Sequence, residues 1–310
     1  MEALTTTNKN YDLVANRSEA LNIFLHSIDI KPSTATAYKK GINKFLDFLA
    51  QRNIQQATQK DIIAYKNYLT EQCEAPSINL YLTALKRFYK YLNAHYNIID
   101  YTLELKSEKI KREHKKDGLT LEQVKELLNL EMTKRDKAII HLLITGALRE
   151  IEIIRADIQD LTTKNDRYIL KVQGKGHSTK DDYIIITNST YKIINEYLAT
   201  RKNIKPTDPL IICDSNRNSD GRLTTRSVGR IVKEKLKQIG INTPRITPHS
   251  LRHTAITLAL LNNNKNLFEA QKFARHSNPA TTQIYIDEIA DTDAKTKSAD
   301  ILEAIINNAT

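Results

Sequence analysis

The stretch "TPHSLRHTAITLALL", residues 247–261, sets His249, Arg252 and His253 within one turn of chain, directly ahead of an apolar run. Two histidines four residues apart share a helix face, which is the spacing of a zinc-protease motif. That motif needs a glutamate after its first histidine, and here the residue is Ser250. No cysteine or carboxylate lies close by in sequence as a third ligand, so no metal is expected. Structural packing accounts for the histidines but leaves Arg252 beside "AITLALL" without a reason. Anion binding supplies one. A guanidinium offers a rigid fork of donors that grips a phosphate through two parallel bonds. A histidine beside it can move a proton near neutral pH. Pro248 suits the first turn of a helix, whose unpaired N–H groups also favour an anion.

Three further places carry residues of matching chemistry. In "ITGALREIEIIRADIQDL", Arg149 follows an apolar segment, and Glu152 stands three residues on, within reach to orient it. In "QGKGHSTK", Lys175 lies between two glycines in a turn. In "ARHSNPATTQIYI", His276 precedes Tyr285 by nine residues. Taken singly, these read as a surface arginine at a helix junction, an exposed hairpin lysine and a packing tyrosine. In chain order the set is Arg149, Lys175, His249, Arg252, His276 and Tyr285.

Such residues need elements to bring them together. The chain has 310 residues, enough for two domains, and its composition (40% hydrophobic, 27% charged) is that of a soluble globular protein. No apolar run reaches membrane-spanning length, and the N-terminus lacks a secretory signal pattern. Two distant cysteines, Cys73 and Cys213, fit a reducing cytoplasm and exclude a disulfide framework. The net charge of +11 points to a polyanionic partner, and most of it falls after residue 105.

Residues 1–16 form a loose polar start, and the pattern from 17 to 105 is helical. Tyr38, Ile42, Phe45 and Leu49 mark one helix; Ile62, Tyr65 and Leu69 mark a second after the cap Thr58; Ile78, Leu82, Leu85, Tyr89 and Leu92 mark a third. Together they make a small α-helical bundle. The basic stretch "KSEKIKREHKK" opens a linker over 106–117. A second domain, 118–310, starts with a capping box from Thr120 to Gln123. "RYILKV" and "YIIIT" read as two strands around the Lys175 turn, so this domain is mixed α+β with a small antiparallel sheet. The fold class is therefore mainly α. After Tyr285 the chain runs through the polar "DEIADTDAKTKSAD" to a short terminal helix with Ile301, Leu302, Ile305 and Ile306 in a stripe.

The boxes "LREIE", "GKG", "TPHSLRHT" and "HSNPATTQIY" resemble those of the tyrosine recombinase (phage integrase) family, most specifically over residues 145–285. The resemblance implies an N-terminal SAM-like core-binding domain and a catalytic domain. With no arm-binding domain ahead of them, the organisation is closer to Xer-like or simple transposon and phage recombinases. It implies double-stranded DNA as partner, a homo-tetramer on paired sites, a Holliday junction, and no cofactor. Arg149 and Arg252 would clamp the phosphate, His249 would take the proton of the nucleophile Tyr285, Lys175 (rather than Lys180) would protonate the leaving 5′-oxygen, and His276 would hydrogen-bond the phosphate. The C-terminal helix would pack on its own core or dock on the neighbouring subunit. The competing readings are a non-catalytic sequence-specific DNA-binding protein and a topoisomerase-like strand transferase on the same fold.

Two departures bear on local backbone. The family usually shows Thr-Gly-Leu-Arg, whereas Gly146 comes one position early in Gly146-Ala147-Leu148-Arg149; and Ala274-Arg275 stands where Leu-Gly usually precedes the second histidine.

Overall fold

A computed structural model of the chain describes residues 17–110, 118–174, 178–214 and 221–308. The chain divides into two compact units, residues 1–113 and 114–310.

The first unit holds α1 (Arg17–Ser27), α2 (Pro32–Gln51), α3 (Gln59–Gln72) and α4 (Ala75–Tyr96). The apolar positions that follow helical spacing in the sequence form its core: Tyr38, Ile42, Phe45 and Leu49 from α2, Ile62, Tyr65 and Leu69 from α3, and Ile78, Leu82, Leu85, Tyr89 and Leu92 from α4. Prolines occupy the first turns of α2 and α4, where a missing N–H costs nothing. The Asp61 carboxylate reaches back to the Thr58 N–H (2.8 Å), fixing the start of α3. Gly41 lets α2 approach α4 closely, since a Cβ there would stand 2.8 Å from Tyr81 Cδ1. The beginning of the basic stretch is tied to this unit: Lys66 Nζ donates to the Lys106 carbonyl (2.9 Å), and Asn79 exchanges two hydrogen bonds with the Glu108 backbone (2.9 and 2.7 Å).

The second unit runs α5 (Leu121–Asn129), α6 (Lys134–Thr145), α7 (Glu150–Arg155), β1 (Leu161–Lys164), β2 (Arg167–Val172), β3 (Asp182–Ile185), α8 (Asn188–Leu198), α9 (Thr225–Gln238), α10 (Pro248–Asn262), α11 (Leu267–Ala274) and α12 (Pro279–Asn308). The capping box at α5 forms as the sequence predicts, Gln123 N–H to Thr120 Oγ1 (3.3 Å) and Thr120 N–H to Gln123 Oε1 (2.9 Å). The main core gathers around α6, whose Ile139, Ile140, Leu142 and Leu143 are fully buried. A smaller apolar cluster of Ala147, Ala255, Ile256, Leu260, Ala270, Ala274, Tyr285 and Ile289 joins α10, α11 and α12 to the turn after α6.

The sheet has three antiparallel strands in the order β1-β2-β3, one more than the two expected. The extra strand is the polar "LTTK". It pairs with β2 through a two-residue turn, Asn165-Asp166, with Lys164 opposite Arg167. Both turn residues have positive φ, 48° and 57°, the geometry that matches the twist of a tight hairpin. A second difference lies at the C-terminus. The polar stretch after Tyr285 is helical, and α12 continues unbroken for 30 residues to Asn308. The side chains of the Ile301, Leu302, Ile305 and Ile306 stripe lie outside the described residues. Among the described residues, no helix is long and apolar enough to cross a membrane.

Candidate active site

Thr247 and Pro248 start α10 as the sequence implies, with Pro248 in the first turn. His249 follows at the exposed entrance of the helix, and Arg252, one turn on, is 1% exposed. A cation this deep must be satisfied by hydrogen bonds. Its Nη1 donates to the Ala147 carbonyl and its Nη2 to the Ala274 carbonyl, linking the turn after α6 to the end of α11. Burial and the neighbouring Arg149 and Arg275 pull its pKa down to about 9, against the opposing pull of Glu152 and Tyr285.

Arg149 caps α7. Its N–H donates to Glu152 Oε2 (2.8 Å) and its Nη1 to Glu152 Oε1 (2.8 Å), which is the orienting role that the three-residue spacing suggests. Glu152 is 1% exposed and carries a second guanidinium, Arg275 Nη2, on Oε2 (2.8 Å). Burial alone would raise the Glu152 carboxyl, but Arg275, the Arg149 N–H and the Arg149 and Arg252 charges outweigh it and hold the pKa below the ordinary value. Among the described residues, Arg149 and Arg275 make ion pairs with this carboxylate, and the Arg252 charge lies close enough to act on it. The cluster therefore keeps an excess of positive charge in a largely dry setting, where an anion is strongly favoured.

Both sequence departures resolve into backbone geometry. Ala147 has φ 44° and Arg275 has φ 53°, so two left-handed positions that glycine fills freely are taken by residues with a Cβ. Each costs about 1–2 kcal/mol. Gly146 sits in a tight space instead: a Cβ there would lie 2.5 Å from Ile184 Cδ1 and 3.0 Å from the Leu142 carbonyl oxygen.

His276 follows the left-handed Arg275. Its Nδ1 meets Thr282 Oγ1 at 2.9 Å, and its N–H donates to the Gln271 carbonyl (3.1 Å). Burial, then Arg252, Arg149, Arg275 and His249, depress its pKa to about 4. The ring is thus neutral at neutral pH. Tyr285 is 6% exposed on α12 and forms part of the small apolar cluster. Its ring centroid lies 4.5 Å from that of His253 and 6.1 Å from that of His276. Burial raises the phenol pKa, Glu288 adds to this, and Arg252 and Arg149 work against it.

Arg149, Arg252, His276 and Tyr285 thus come together from α7, α10, the α11–α12 junction and α12, with His249 close enough to influence His276. Lys175 lies outside the described residues. Gly174, just before it, lines a cavity of about 270 Å³ together with Arg149, Glu152, Asp181, Arg275 and Ser277. Lys180, the other lysine of that loop, is held by Asp157 (2.5 Å) and by Asp160. Burial opposes its charge, but those two carboxylates raise its pKa above the ordinary value. Two participants carry no role in the sequence reading. His253 packs on Tyr285, with its Nε2 3.4 Å from Glu288 Oε2. Arg275 is visible in the sequence only as an arginine where a glycine is usual.

This fold belongs to a known class, for the chain belongs to the phage integrase family of tyrosine recombinases. The family model matches residues 118–291, and the model of the phage integrase N-terminal SAM-like domain matches residues 25–95. Among curated relatives, tyrosine recombinase XerC of Herpetosiphon aurantiacus is 30% identical over 267 residues, covering 82% of this chain and 84% of that protein. Tyrosine recombinase XerA of Pyrococcus horikoshii is 33% identical over 210 residues, 67% of this chain and 68% of that protein. Among solved structures, the XerH site-specific recombinase bound to palindromic difH substrate, a post-cleavage complex, matches with TM-score 0.70 at 19% identity, over 87% of this chain and 80% of that one. A lambda integrase dimer bound to a COC′ core site matches with TM-score 0.67 at 17% identity, over 87% and 94%. The two structural matches show the same fold.

Proposed function

We propose that the chain is a site-specific DNA recombinase that breaks and rejoins DNA through a 3′-phosphotyrosine, serving integration or excision of a mobile element or resolution of dimers. The observation that carries this reading is the cluster of Arg149, Arg252 and Arg275 gathered around the buried Glu152 carboxylate, near Tyr285. A phosphodiester carries one negative charge and gains more in its pentavalent transition state. Arg149 and Arg252 stabilise that charge on the non-bridging oxygens. The neutral His276 ring, positioned by Thr282, donates a hydrogen bond to the same phosphate.

The Tyr285 oxygen attacks phosphorus and gives up its proton, with His249 as the acceptor. Burial keeps the phenol protonated until a base acts. The bond to the 5′-oxygen breaks, and that oxygen takes a proton from Lys175. The commitment of Lys180 to two aspartates supports Lys175 as the donor. The phosphotyrosine is itself a diester, so a 5′-hydroxyl from another strand can reverse the step without ATP. A homo-tetramer on paired duplex sites exchanges one pair of strands, passes through a Holliday junction, and exchanges the other. The end of α12 reaches the neighbouring subunit in that assembly. The protein works in the cytoplasm, where its DNA lies.

The test starts from genomic DNA trapped covalently on the purified protein in EDTA and then sequenced. A supercoiled plasmid carrying two copies of the recovered sequence should yield recombinant circles without metal or nucleotide. Relaxed plasmid without recombinants would leave the topoisomerase-like reading instead, and DNA bound with no covalent adduct would leave a binding protein.

A further inference from the structure

Arg275 sits in a left-handed backbone conformation that its Cβ disfavours. What it gains there is a set of protein partners. Its Nη2 donates to Glu152 Oε2 (2.8 Å) and to the Ala147 carbonyl (3.2 Å). Its Nη1 donates to the carbonyls of Gly146 (3.3 Å) and Phe273 (3.2 Å). The side chain is 6% exposed and lines the cavity that Arg149 also lines.

These contacts close a ring. The Ala147 carbonyl is gripped by Arg252 from one side and Arg275 from the other, while Ala147 itself is in the left-handed region. Glu152 is gripped by Arg275 on one side and Arg149 on the other. The turn from Gly146 to Arg149 is therefore fixed at its carbonyls and at the carboxylate that orients its last residue. Without Arg275, Glu152 would keep only Arg149 as its ion-pair partner among the described residues.

We infer that Arg275 is a positioning residue of the cleavage site, holding Glu152 and the Ala147 carbonyl so that the Arg149 fork faces the scissile phosphate. The inference rests on the recombinase reading above. It gives Arg275 a role through Glu152 and the turn before Arg149, the groups its Nη1 and Nη2 hold. A displaced fork at the phosphate weakens the transition state more than the bound ground state.

The informative variant is Arg275→Gly, because glycine is free to adopt this φ and the backbone loses its strain. Cleavage of a nicked suicide duplex is followed at saturating protein, and affinity for an uncleaved duplex separately. Arg275→Gly should melt cooperatively, bind DNA within about twofold of wild type, and cleave about 10–100-fold more slowly. Arg275→Lys, which keeps charge but not the fork, should recover part of that loss. In a Glu152→Gln background, Arg275→Gly should add little, since both act on Arg149. Wild-type cleavage by Arg275→Gly, or additive losses in the double variant, would overturn the inference while leaving the recombinase reading intact. Should Arg275→Gly not melt cooperatively, Arg275→Lys decides, and a wild-type cleavage rate there overturns the inference. Absence of any covalent adduct from the wild-type chain would overturn both.

Discussion

His276 is held neutral by its surroundings, and that has a consequence for stability. Its pKa is near 4 in the folded chain, against about 6.5 in an unfolded one. Between those values the unfolded chain binds a proton that the native chain excludes, so stability is intact above about pH 6.5 and falls as pH drops toward 4. His141, depressed by burial and Lys137, acts in the same direction. The lowered carboxyls of Glu152 and Asp157 act at more acid pH, where carboxylates titrate. His276→Gln should melt with a shallower pH dependence through this window, checked by thermal denaturation at several pH values. A slope equal to wild type would mean that His276 is not a major source of it. At this scale much of the site is legible in the sequence, because its chemistry resides in residue types at fixed offsets: Arg149 three before Glu152, Arg252 three after His249. Arg275 is not legible in the same way. Its partner Glu152 lies 123 residues away, and its position is one where a side chain is normally absent.

The elements were readable wherever an apolar stripe set their period. The stripes of α2, α3 and α4 fall on the core as predicted. Strand β1 was not readable because "LTTK" has no alternation of apolar residues; its partner β2 and the Asn165-Asp166 turn make it a strand. The continuity of α12 was equally hidden, since its exposed middle turns carry charged residues with no stripe. The hairpin offers a test of this explanation. Both turn residues are exposed and left-handed, and Asn-Gly fits that turn better than Asn-Asp. Asp166→Gly should stabilise the second unit by about 0.5–1 kcal/mol, read as a rise in denaturant midpoint at unchanged slope. A loss of stability would show that the turn is not the left-handed pair described.

At the scale of the molecule, the sequence places most of its excess charge after residue 105: residues 106–310 are net +9 and residues 1–105 only +2. The helical bundle and the catalytic fold of this family were legible from motifs spread over the chain, because three of the boxes, "LREIE", "TPHSLRHT" and "HSNPATTQIY", sit at helix ends that the local pattern also marks. What no local pattern states is that the four site residues converge. That convergence is made by the small cluster of Ala147, Ala255, Ala270, Ala274 and their neighbours, whose short side chains let α10, α11 and α12 close around Tyr285. Tyr285 is packed within its own chain, against His253 and the small apolar cluster, and lies near Arg149 and Arg252 of that same chain.

The central claim is that the Tyr285 oxygen becomes covalently joined to DNA. The most direct measurement incubates wild type and Tyr285→Phe with a nicked suicide duplex in EDTA, then maps the DNA-bearing peptide. Wild type should give a 3′-phosphotyrosyl adduct on the peptide containing Tyr285, and Tyr285→Phe should bind the duplex without any adduct. An adduct that survives in Tyr285→Phe, or one that maps to Tyr183 or Tyr191, would contradict the account.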